Sequence, residues 1–96
     1  MRLLDYYKKM KIKFDITVHG NCMEPVIKNG DIVTIVPSDN YKVGDIVLCV
    51  DSRRVIYIHR LYKIEDRGYI TKADNNLCVD SEIIKKNNIY GKALIK

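Results

Sequence analysis

Two side chains in this 96-residue chain could make and break an acyl bond together: the thiol of Cys22 and the imidazole of His59. A cysteine attacks a carbonyl when its thiolate is populated, and a histidine that takes its proton populates it. They are 37 residues apart (59 − 22). Such a distance does not prevent contact in a sheet, but a Cys-His pair by itself is common, and a small protein's cysteine is more often a packing residue. The residues around them carry more information.

Cys22 stands in Gly20-Asn21-Cys22-Met23-Glu24-Pro25, where glycine allows a sharp turn and proline fixes the chain beyond it. Met23 is an adaptable apolar anchor, so Gly20, Met23 and Pro25 are expected to shape the turn and any groove beside it. Farther on come Gly30-Asp31, Gly44-Asp45-Ile46-Val47, Ile58-His59-Arg60, Lys72-Ala73-Asp74-Asn75-Asn76 and Gly91-Lys92-Ala93. His19 is close to Cys22 in sequence but reads as a solvated strand histidine. Cys49 and Cys78 lie outside any histidine-containing box and read as packing residues. Arg60, next to His59, should point to the opposite face of its strand, solvated or paired with a carboxylate.

The elements that must hold these residues follow from hydrophobic period. Leu3, Leu4, Tyr7 and Met10 recur at helical spacing, so residues 2–11 read as a short amphipathic helix whose stripe covers the sheet. From Phe14 the period becomes two, with Phe14, Ile16 and Val18 alternating against Asp15, Thr17 and His19, and Cys22 follows that strand. Gly-Asp-Ile-Val occurs twice, 14 residues apart, each copy a turn feeding a strand, 30–36 and 44–50. Residues 54–62 form a long β-branched and aromatic strand carrying His59, with Asp51-Ser52-Arg53 as its hairpin turn. Residues 69–73 read as another strand, 81–86 as a helical turn and 89–95 as the last strand. The expected fold is mainly β, one domain over 1–96, with a short helix in 1–13 and a β core in 14–96.

Composition sets the outer bounds. Lys and Arg exceed Asp and Glu by 5, a surplus without the aromatic interleaving that stacks on bases, so no nucleic-acid partner is expected. No run approaches the ~20 apolar residues of a membrane span, and three scattered cysteines suggest neither a disulfide framework nor a zinc site. A soluble, cytoplasmic protein without metal or cofactor is the expectation. A membrane or transporter partner for the helix stays open as the lesser reading.

The ordered boxes from about Val18 to the end resemble those of type I signal peptidases, in the histidine branch found in archaea and the endoplasmic reticulum. The resemblance implies a signal-peptidase or LexA-like fold of coiled antiparallel sheets, with Cys22 where the family has its serine nucleophile and His59 as the base. It also implies an acid that orients the imidazole. That acid is Asp80, six residues after Asp74, and Asp74 is the alternative. Cysteine in place of serine keeps a nucleophile suited to a histidine base, whereas Gly20 cannot supply the oxyanion hydroxyl found in bacterial relatives. The implied activity is cleavage of a leader or pro-segment from a peptide or precursor-protein substrate. Two alternatives stand beside it: an inert pseudo-peptidase that binds a leader peptide, and a LexA-type self-cleaving domain, against which His59 and the Asp-Asn-Asn box count.

Overall fold

The computed structural model describes residues 2–95. Its elements are α1 (Arg2–Met10), β1 (Phe14–Thr17), β2 (Ile32–Val36), β3 (Ile46–Val50), β4 (Ile56–Glu65), β5 (Gly68–Lys72), a single 3-10 turn at Lys86–Asn88 and β6 (Ile89–Leu94). The strands form one antiparallel sheet in the order β1-β2-β6-β3-β4-β5. The fold is mainly β, as the alternating patterns and β-branched runs require.

The repeated Gly-Asp has a local cause. In both copies the aspartate side chain accepts the amide hydrogen of the residue three before it, Lys28 N–H to Asp31 at 2.8 Å and Lys42 N–H to Asp45 at 2.9 Å. The same aspartates return their own amides to the carbonyls of Lys28 and Lys42. Each closes a tight turn whose glycine has φ near +90°, at +89° for Gly30 and +98° for Gly44. Asp51 works similarly before β4, its carboxylate accepting from the amides of Arg53 and Val55. The hairpin turn therefore runs through Val55, and β4 starts at Ile56.

Strand β3 is buried at all five positions because both faces of the sheet are covered there. Ile46, Leu48 and Val50 join Met23, Ile27, Val33, Ile35 and Ile58 in one core, and Val47 and Cys49 join Leu61, Ile84 and Ile89 in the other. Helix α1 seals the first core with Leu4, while Tyr7 stacks on Phe14 at 4.6 Å and Asp5 accepts the Tyr90 hydroxyl proton at 2.9 Å.

Two expectations need correction. Of the helical stripe Leu3, Leu4, Tyr7 and Met10, only Leu4 and Tyr7 turn inward; Leu3 and Met10 are 62% and 55% exposed and share the outer side with Tyr6. At 100° per residue, adjacent leucines belong to different faces, and packing chose the 4/7 side. Residues 81–85 are not a helical turn either. After a bend at Ser81 and Glu82, Ile84 pairs its backbone with Tyr69 in both directions and buries its side chain, and the 3-10 turn begins only at Lys86.

Strand β6 enters between β2 and β3, and Gly91 makes that possible. Its φ is +153°, and a Cβ there would lie 2.6 Å from Ile35 Cγ2 and 2.8 Å from the Val36 carbonyl oxygen. Replacing Gly91 by alanine should therefore lower unfolding stability by at least about 2 kcal/mol, read as a lower denaturant midpoint. Unchanged stability would mean that β6 is not held this tightly.

Candidate active site

Cys22 is presented by a compact turn after β1. Gly20, at φ +98°, turns the chain and gives its amide hydrogen to the Asn29 side chain at 2.8 Å. Met23 then drops into the first core at 2% exposure, and the Ile27 amide donates to its carbonyl at 2.9 Å. The Glu24–Pro25 peptide bond is cis, and Cys22 itself remains exposed. An exposed thiol above a buried methionine is what alternating solvent-facing and core-facing positions of a tight turn produce.

The Asp-Asn-Asn box holds this turn from the opposite side of the fold. The Asn75 amide donates to the Cys22 carbonyl at 2.8 Å, and its side-chain amide donates to the Asn21 carbonyl at 3.0 Å. The Asp74 amide points at Met23 Sδ, 3.3 Å away. Gly20, Met23 and Asn75 thus fix where the thiol sits. The sequence offers Asn75 only as a member of the Asp-Asn-Asn box, without its role in holding the turn.

His59 lies on β4 opposite Val47 of β3. Its Nδ1 is 2.5 Å from Asp80 Oδ2, and its ring packs against Tyr57 with centroids 4.6 Å apart. A carboxylate can only accept, so Nδ1 is the donor to Asp80, and Nε2 is the ring nitrogen left to accept a proton. Arg60 faces the other way and makes a two-pronged pair with Asp74, both contacts 2.8 Å, while also donating to the Gly44 carbonyl at 2.9 Å. Neighbouring residues on one strand therefore take different acids: Asp80 goes with His59, Asp74 with Arg60.

Cys22 and His59 line the same cleft, about 310 Å³ in volume and walled largely by apolar groups of Ile16, Val18, Met23 and Leu48. His19 also borders it. His59 forms the boundary with a second, more polar cleft of about 550 Å³ bordered by Asp51, Arg53, Asp80 and Glu82. Cys49 borders neither cleft. Burial pushes its thiol up to about 12, with the Asp80 charge adding to the effect, so it is protonated and inert at neutral pH. Cys78 is exposed, in contrast to the packing role expected of it. Among the described residues no group of three or more His, Cys, Asp and Glu side chains is placed to hold a metal ion. Nor is any described helix long and apolar enough to cross a membrane.

A compact antiparallel fold with a thiol and an acid-paired imidazole on one cleft is the setting of a small peptidase-like domain. The chain belongs to the Peptidase S24-like family, whose model matches residues 5–94. That family is one of peptidases and embraces LexA-like and signal-peptidase-like proteins. No significant match was found among curated proteins or solved structures.

Two outcomes follow from this geometry. The Arg60 guanidinium holds the Asp74 carboxyl below its ordinary 3.8, so this pair stabilises the fold above that pH and the contribution fades as pH falls through the lowered value. Asp74→Asn should cost about 1 kcal/mol at pH 7, a modest figure because Arg60 is one-third exposed, and the gap from wild type should close below about pH 4. A gap independent of pH would sink that account. Alkylation of the native protein, mapped by mass spectrometry, should label Cys22 and Cys78 and spare Cys49; early labelling of Cys49 would contradict its burial.

Proposed function

We propose that the chain is a cysteine endopeptidase that removes a leader or pro-segment from a peptide substrate, a soluble cysteine variant related to the histidine branch of type I signal peptidases. The observation that carries this reading is that Cys22 and His59 share one cleft while Asp80 engages the far nitrogen of the imidazole. Family membership supports peptide-bond chemistry in general. The nucleophile, base and acid are this reading's own assignments.

In the proposed cycle, His59 Nε2 takes the proton from Cys22 Sγ, and the thiolate attacks the substrate carbonyl carbon. The carbonyl electron pair moves to oxygen, next to the Cys22 amide, which donates to no acceptor among the described residues and is free to bind the oxyanion. Collapse expels the amine, which receives the proton from His59 and leaves a thioester. Water then gives a proton to His59 and attacks the thioester; expulsion of the thiolate and return of that proton restore Cys22. Asp80 keeps the imidazole in the required tautomer throughout. The apolar cleft and the adjoining open edge of β1 suit an extended peptide, which can pair with the edge and drop alternate side chains into the cleft. The outward Leu3, Tyr6 and Met10 are the surface a membrane or transporter partner would use.

A second reading, self-cleavage, draws on the LexA-like members of the family. Both are separated by one set of incubations with candidate leader peptides. The peptidase reading expects multiple turnover, reduced by about a thousandfold or more in Cys22→Ala and in His59→Ala. Self-cleavage would instead give nicking of the chain at a rate independent of protein concentration. Activity that survives both substitutions excludes the assigned pair, and peptide binding without turnover or thiol labelling marks an inert binder.

A further inference from the structure

Asp80 belongs to the irregular stretch after β5, where no regular strand pairing orients its side chain. Something else must aim the carboxylate. Thr71 on β5 does so from two directions. Its hydroxyl donates to Asp80 Oδ2 at 2.6 Å, and its carbonyl accepts the Asp80 amide hydrogen at 2.8 Å. Oδ2 is the same oxygen that meets His59 Nδ1. Thr71 is fully buried, one of only two buried polar or charged residues among those described, the other being Asp51 in its turn.

A buried hydroxyl costs stability unless it has a partner; here it donates to a carboxylate, an O–H bond that is charge-assisted, and also neighbours the Tyr57 hydroxyl. Valine, nearly the same shape, would pack in a strand without that cost. Packing alone therefore does not account for threonine at this position. The hydroxyl removes one of the rotations that would carry Oδ2 away from the imidazole, while the Tyr57 ring limits the imidazole itself. We propose that Thr71 is a positioning residue, which acts through Asp80 to hold His59 in the orientation and tautomer that draw the proton from Cys22. This inference rests on the reading of Cys22 and His59 as nucleophile and base.

The test is the rate at which iodoacetamide alkylates Cys22 at pH 7, in a Cys78→Ser background so that one exposed thiol remains. Thr71→Val should slow it about threefold or more, and Thr71→Ser, which keeps the hydroxyl, should restore most of the rate. In a His59→Ala background Thr71→Val should have no further effect, because the hydroxyl acts only through the imidazole. A merely structural threonine would give the same loss in both backgrounds, or none in either, and each result overturns the proposal. If Thr71→Val does not fold, comparing Thr71→Ala with Thr71→Ser isolates the hydroxyl in the same way. Should His59→Ala alone leave alkylation unchanged, the base assignment fails; should it slow alkylation while Thr71→Val does not, only the role of Thr71 fails.

Discussion

Everything at the site depends on the pairing of β6 with β2 on one side and β3 on the other. Without it the sheet would be two pieces. One is the β1-β2 pair with the Cys22 turn between its strands, and the other is the β3-β4-β5 meander with His59 and Asp80. Gly91 lets β6 lie close against Ile35 and Val36 of β2, and the first core crosses the seam, combining Val33 and Ile35 of one piece with Leu48 and Ile58 of the other. That Cys22 and His59 line one cleft is therefore a property of tertiary packing, supported by apolar burial across the seam.

Strand alternation then separates two tasks at adjacent positions. Arg60 secures the Asp74 loop, and that loop reaches the Cys22 turn through Met23 Sδ and the Cys22 carbonyl. His59 faces the cleft and takes Asp80. An arginine suits the first task because its guanidinium stays charged and forks onto a carboxylate. The imidazole suits the second because it can give and take a proton near neutral pH. Two acids six residues apart thus serve different ends, one tying backbone and one engaging a ring.

Much of this was legible in the residues. Each Gly-Asp turn is local, so its signature survives in sequence, and the period-two runs mark the strands to within a few residues. The Cys22, His59 and Asp80 positions were found through the ordered boxes, and the structure sets His59 against Asp80 while leaving Asp74 with Arg60. What could not be read depends on nonlocal packing. Nothing along the chain says that β6 parts β2 from β3, or which of Leu3 and Leu4 turns inward. The bridge that takes the place of a helical turn near Ile84 comes from the edge of β5, which offers Tyr69 to Ile84. Thr71 looked like any β-branched strand residue, because its partner is nine positions away across an irregular loop.

The order of the strands in space differs from their order in synthesis. The segment that joins the two pieces is made after both of them, so a growing chain carries Cys22 and His59 long before any seam holds them on one cleft. Between residue 59, where the imidazole is added, and residue 89, where β6 begins, the nascent polypeptide carries the thiol and the imidazole in separate halves, and the cleft they line can close only once β6 has been made.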